Sequence, residues 1–334
     1  MQPNSKLFIY SFSLAILLLC IHEYYFRVIE GFSPGYDVEN LDYWAEQRAK
    51  VDNLSSKDII IIGSSRAHFD ININLWDSIT DTKPLMLAYP GSSPLLALDD
   101  LVKKSQFNGL IVLGVSPGLF FGMRDSWGSG RIKKAIDQYY DRTYAQALNH
   151  ILYKLPDNNL GYVNQSISLA EIFASIKFPK RDSVITPVIW PPMIHMDENR
   201  NIRMLPIMEN DTTIQRRQKD IWFNPNPKNR YADSLQVILN DYIGLIKLFK
   251  ERGGRVAFIR PPVTDYYLKT EGKLFPRESY WDELIRQSGC PGYHFADYQS
   301  TKNMVPPEWS HLNRKDSDTY TKTIIQLLKQ DNLL

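Results

Sequence analysis

Two short stretches of this chain hold residue types that could do nucleophilic chemistry. The first is Gly63-Ser64-Ser65-Arg66, directly after the apolar run at Asp58 to Ile62. The second is Glu308-Trp309-Ser310-His311-Leu312-Asn313, close to the C-terminus. A serine nucleophile needs a base to take its proton, a group to orient that base, and donors for the oxyanion. His311 is a candidate base, and Glu308, three residues earlier, can orient it. Gly91 and Gly114-Val115-Ser116 each end a strand-like run and could supply oxyanion donors. The spacing alone leaves both serines of the first stretch open as nucleophile.

The elements that would position these residues follow from hydrophobic pattern. Asp58 to Ile62 is a continuous apolar run, the mark of a strand covered on both faces. Pro84 to Gly91, Asn108 to Gly118, Arg255 to Val263 and Tyr293 to Tyr298 read as four further strands. Helical spacing recurs at Leu41 to Val51, Ser93 to Ser105, Ser234 to Gly254, Ser279 to Gly289 and Ser317 to Gln330. Strands alternating with helices imply a flavodoxin-like three-layer α/β/α fold with a five-stranded parallel sheet. In such folds ligands bind at the carboxyl ends of the strands, which is where the small-residue turns fall. From Leu119 to about Asp233 the pattern loosens into short helices at 151–155 and 168–176 and a proline-broken aromatic run at 184–196. This 119–233 region reads as an insertion or cap within a domain running from 58 to 334. Residues 28–57 form a polar linker with one short helix.

At this point the chain resembles the SGNH (GDSL-like) hydrolases, above all the membrane-associated branch that acts on envelope polymers. The resemblance covers residues 58–118 and 234–330. It implies a Gly-x-Ser turn after the first strand with Ser65 as nucleophile, and Ser64 where many members carry aspartate. It implies an oxyanion-hole amide at Gly91 and, with the Ser65 amide, a further donor after the third strand. Ser116 stands there in the place of an asparagine. The late Glu308-x-x-His311-Leu312-Asn313 element corresponds to an Asp-x-x-His element, with glutamate for aspartate. Similar proteins take part in O-acetylation of exported polysaccharides or D-alanylation of envelope polymers such as teichoic acids, beside a multi-spanning membrane acyltransferase. The resemblance therefore implies an O-acyl esterase or acyltransferase with a glycan substrate, a membrane partner and no cofactor. The departures at Glu308 and Ser116 keep a second reading in play, a non-catalytic binding or assembly factor on the same fold.

Other residues have plainer readings beside functional ones. Ser64 fits a tight turn or a helix N-cap. Arg66 and Arg260 could each hold an anionic or sugar group of a substrate, against a solvated helix-start arginine and a structural ion pair respectively. His68 suits a structural role better than an accessory one, and Asn72 and Trp76 suit capping and packing. Trp190, His195 and Trp222 could form a sugar-stacking surface, with core aromatics as the default.

The bulk composition sets limits. The chain has 334 residues, 43% of them hydrophobic and 12% aromatic, which supports a large core and argues against disorder. The formal net charge of +2 gives no electrostatic case for nucleic acid. Two cysteines, Cys20 and Cys290, fit neither a disulfide nor a zinc site. Leu7 to Phe26 is almost uncharged and approaches the length of a membrane span. Tyr24, Tyr25 and Phe26 would lie at its interface. No small-x-small cleavage site follows it, so the sequence favours an uncleaved anchor over residues 1–27, with the remaining body periplasmic or extracellular.

Overall fold

A computed structural model describes residues 5–164, 167–176 and 188–334. Among them seven strands form: β1 (Ile59–Ile62), β2 (Leu85–Met86), β3 (Leu110–Gly114), β4 (Ile194–Met196), β5 (Ile202–Met204), β6 (Arg255–Arg260) and β7 (Gly292–His294). Five make one parallel sheet in the order β2-β1-β3-β6-β7. This is the flavodoxin-like order expected from the alternation of strands and helices. β4 and β5 pair antiparallel as a separate hairpin.

The all-isoleucine β1 shows why the sheet is buried on both faces. Side chains alternate across a strand. Ile60 and Ile62 enter one core with Ile111, Leu113, Val256 and Phe258, while Ile59 and Ile61 enter the other with Leu110, Val112, Ala257 and Ile259. The first core is closed by helices at Leu41–Lys50, Leu95–Lys104, Trp127–Asp141, Leu235–Glu251 and Arg277–Ser288. The second is closed by Ser65–Asp70, Ile73–Thr80 and Arg314–Gln330. Trp76 lies fully inside the second core, and Asn72 caps its helix by accepting from the Leu75 N–H at 3.1 Å.

The loosely patterned region holds more regular structure than its sequence announces. It contains helices at Trp127–Asp141, Tyr144–Asn159, Leu169–Ser175 and Thr212–Trp222, and the β4–β5 hairpin. The hairpin strands are three residues each, too short to show a period, and Gly128, Gly130 and Pro156 interrupt two of the helical patterns. Of the run at 184–196, residues 184–187 lie outside the described ones.

At the N-terminus, Ser5–Tyr24 is helical and continues to Ile29. These 25 residues are long and apolar enough to cross a membrane, a property that a signal sequence shares. Cys20 and Cys290 are both free.

Candidate functional site

The turn after β1 is built by close approach. A Cβ on Gly63 would lie 2.7 Å from the Ala67 Cβ and 3.1 Å from the Gly114 Cα. One on Gly114 would lie 2.4 Å from the Ala67 Cβ. The two glycines therefore let the Ser65–Asp70 helix begin directly on the carboxyl ends of β1 and β3. From Ile59 to Ile73 every residue is buried except Ser65. Its hydroxyl makes no hydrogen bond to any described residue. Ser64 occupies the N-cap position, but its side chain does not cap. Its hydroxyl instead shares a 2.6 Å hydrogen bond with that of Ser116, across the ends of β1 and β3. This corrects the N-cap reading of Ser64: the adjacent strand end offers a closer partner than the helix amides do. The strand order reverses between these two strands, the position at which open α/β sheets form ligand crevices.

Loop 306–313 is tied to the same helix at three successive places. The Arg66 Nε donates to the Ser310 Oγ at 3.1 Å. The Phe69 ring stacks on the His311 ring with centroids 4.4 Å apart. The Leu312 N–H donates to the Asp70 Oδ1 at 2.8 Å. Within the loop, the fully buried Glu308 accepts from three donors. Its Oε1 takes the His311 N–H at 2.6 Å and the His311 Nδ1 at 2.9 Å, and its Oε2 takes the Trp222 Nε1–H at 2.6 Å. A proton on Nδ1 that faces a carboxylate leaves Nε2 as the basic nitrogen. That atom is buried and makes no hydrogen bond to any described residue. The Ser65 hydroxyl and His311 Nε2 thus lie on tethered elements without bonding each other. Trp309, between Glu308 and His311, has φ of 79°, a region bulky residues rarely enter.

Gly91 stands in the left-handed region at φ 64°. Its N–H makes no hydrogen bond to any described residue. A side chain there would press on Trp127 and Arg131 at 3.1 and 3.2 Å.

Arg66 and Arg260 converge on one residue that the sequence did not single out. Glu271 receives Arg66 through two hydrogen bonds of 3.1 and 2.7 Å and also receives Arg260. All three side chains are largely buried, so Arg66 is not a solvated helix-start residue. Burial works to raise the Glu271 pKa, but the two guanidiniums outweigh it and hold the carboxylate below its ordinary value. Burial pushes Arg260 down to about 10, with Glu271 opposing. Beside this cluster a cleft of about 200 Å³ opens between Val115, Arg260, Phe275, Tyr280 and His294.

His68 does not hydrogen-bond Ser65. Its Nε2 donates to the Arg200 carbonyl at 2.9 Å, and burial, then the Arg200 charge, push its pKa well below the ordinary histidine value. It is a neutral, structural imidazole. Asp70 is pushed the other way, well above the carboxylate range, first by burial and further by the Glu308 charge.

The aromatics divide. Trp190 and Trp222 lie 5.2 Å apart, and Trp222 is 6.1 Å from His311. Phe223, Tyr266 and Trp309 form a second set, with neighbouring centroids 5.4 and 5.5 Å apart. His195 is not among them, because its Nδ1 donates to the Pro34 carbonyl at 2.9 Å. Trp222 thus does more than its sequence suggested, since it also hydrogen-bonds Glu308. Asp70, Phe69, Glu271 and the Trp222–Glu308 bond had no local sequence signature. Each depends on a partner at least 86 positions away.

No family model matches this chain, and no curated protein matches it. Among solved structures it is similar to a candidate acylhydrolase from Bacteroides fragilis NCTC 9343, at 10% identity and a TM-score of 0.39, over 90% of this chain and all of that one. At that level the likeness decides neither fold nor function, and both rest on the residues themselves.

Proposed function

We propose that this protein is a membrane-anchored serine esterase or O-acyltransferase of SGNH type, acting on an envelope or exported glycan. One observation carries the reading. The buried Glu308–His311 pair leaves Nε2 without a partner, on a loop tethered to a helix that starts at the single unburied residue of its stretch, Ser65. In this mechanism Ser65 Oγ attacks the acyl carbonyl and gives its proton to His311 Nε2. The imidazolium is stabilised by Glu308 through Nδ1. The oxyanion is met by the N–H groups of Ser65 and Gly91, with Ser116 contributing through its hydroxyl. Collapse expels the alcohol, which takes the proton from Nε2 and leaves an acyl-serine. Water or a sugar hydroxyl then loses a proton to Nε2 and attacks the acyl carbon, and collapse breaks the bond to Ser65 Oγ, which takes that proton back from Nε2. Arg66 and Arg260 lend this edge of the sheet positive charge beyond what Glu271 neutralises. Trp190 and Trp222, and separately Phe223, Tyr266 and Trp309, offer rings to a sugar.

The apolar N-terminal helix supports a membrane location, and an envelope or exported substrate would put the body outside the cytoplasm. A multi-spanning acyltransferase would be the source of acyl groups for the transfer reaction. The second reading, a non-catalytic glycan-binding or assembly factor, is favoured by the absence of a Ser65–His311 hydrogen bond, although unliganded sites are often loose.

Full-length protein in detergent, treated with a small activated acyl ester and read by intact mass, separates the two. The catalytic reading expects one acyl adduct that disappears in Ser65→Ala, with unfolding temperature unchanged. An adduct retained in Ser65→Ala removes Ser65 from the mechanism. A folded wild type that forms no adduct and binds glycan favours the binding factor.

A further inference from the structure

The helix at Tyr144–Asn159 is amphipathic in the reverse of the usual sense. Its polar side faces the protein. His150 is buried with Nε2 3.0 Å from the Glu46 Oε2, Lys154 donates to the Glu46 Oε1 at 2.6 Å, and the Asp157 Oδ2 accepts from the Tyr43 hydroxyl at 2.6 Å. Its apolar side faces outward. Leu148, Ile151, Leu152 and Leu155 recur at helical spacing and are 58, 63, 65 and 74% exposed. A surface helix of a globular protein normally does the opposite, because burying its apolar stripe is what stabilises it. On the next helix, Leu169 and Phe173 are also exposed, at 44 and 67%.

What lies against this face is indicated by what holds it. The segment between the two helices is bonded to the foot of the Ser5–Ile29 helix. Glu23 accepts from the Gly161 and Tyr162 N–H groups at 3.0 and 2.6 Å, and the His22 Nε2 donates to the Ile167 carbonyl at 2.8 Å. The Arg27 guanidinium reaches the Asn159 carbonyl at 3.4 Å. His22, Glu23 and Arg27 are the polar side chains at the C-terminal end of the apolar run, beside Tyr24, Tyr25 and Phe26, so they mark the level at which a span would leave the bilayer. Asn159, the last residue of the helix that carries the outward leucines, is bonded there through Arg27. These bonds also build the apolar helix into the body, as suits a retained anchor rather than a leader.

We propose that the outward face of the 144–159 and 169–175 helices lies in the lipid interface of the bilayer that the N-terminal helix enters, giving the protein a second membrane contact. The inference rests on the membrane-anchor part of the proposed function and not on the esterase part. Interfacial helices bury their apolar face about 5–10 Å into the boundary of headgroups and acyl chains, a depth suited to single leucine and isoleucine side chains.

The test uses full-length protein reconstituted in phosphatidylethanolamine–phosphatidylglycerol vesicles. Leu152→Cys and Leu155→Cys, each in a Cys20→Ser background where the remaining Cys290 is buried, carry a nitrobenzoxadiazole label. Val237→Cys, on an exposed face of the Leu235–Glu251 helix, is the reference. The expected result is quenching by lipids with brominated chains at 152 and 155 and loss of quenching by aqueous iodide, with the reverse at 237. Iodide quenching at 152 and 155 as strong as at 237 would overturn the proposal. So would labels reached by neither quencher, which would mean that protein, such as a second copy of the chain, covers the face.

Discussion

Glu308 has three donors on two oxygens and no exposure to solvent, and this saturation fixes what changing it should do. Glutamine can keep an oxygen toward both His311 donors only by turning its NH2 against the Trp222 Nε1–H. Glu308→Gln should therefore cost about 1–3 kcal/mol in stability, the penalty for an unsatisfied buried polar group. Its rate should fall less than that of His311→Ala, since Phe69 stacking and the Leu312–Asp70 bond still hold the loop. Urea denaturation and acyl-ester turnover of the two variants check this, and an equal or larger rate loss in Glu308→Gln would contradict it. Asp70 makes a separate prediction with a definite sign. Its pKa is raised in the folded protein, so its contribution to stability is complete below the unfolded carboxylate value and is lost as pH rises through the folded one. Asp70→Asn keeps an oxygen for the Leu312 N–H and cannot ionise. Denaturation over a pH series should show the variant gaining on wild type as pH rises from about 4, the range where an unperturbed aspartate ionises. A difference independent of pH would show that Asp70 is not held neutral.

Glu271 joins three elements at the scale above. From the helix at Asp265–Leu274 it holds Arg66 on the helix that begins with Ser65, and Arg260 at the end of β6. Removing its charge leaves two buried guanidiniums without a carboxylate. Breaking a buried pair in this way costs about 3–5 kcal/mol, because the remaining charge stays desolvated. Glu271→Gln should lower the urea midpoint accordingly and reduce turnover, since Arg66 also bonds Ser310, next to His311. A midpoint equal to wild type would mean that the arginines find other partners. The same scale explains Gly63 and Gly114. They are needed less for freedom of φ than for the space that Ala67 occupies between two strand ends.

For the whole molecule, the sheet order places the carboxyl ends of β1 and β3 side by side, and the last helix returns loop 306–313 to them. At its foot the N-terminal helix is bonded to this body, where Glu23 accepts from the Gly161 and Tyr162 N–H groups and His22 donates to the Ile167 carbonyl. If that contact marks a retained anchor, full-length protein expressed in a bacterial host should keep its N-terminal helix by intact mass. It should also stay in the membrane pellet after alkaline carbonate. A soluble product starting near Gly31 would show that the segment is a leader.

The sequence determined the layers. Four consecutive isoleucines cannot be a solvated strand, and helical spacing between such runs leaves few folds besides a parallel sheet covered on both faces. It also marked Ser65, Glu308 and His311, because a small-residue turn after a strand and a close acid–histidine pair are local features. The tertiary structure decided what joins them. Whether Ser64 caps a helix or bonds Ser116, whether Arg66 is solvated or bonds Glu271, and whether Trp222 stacks or hydrogen-bonds Glu308 each depend on partners dozens to hundreds of residues away. The outward face of the 144–159 helix makes the same point. Its period is visible in the chain, but which side meets the protein was settled by Glu46 and Tyr43, two side chains on another helix. Hydrophobic period is written along the chain, whereas the pairing of buried polar groups exists only once distant elements have packed.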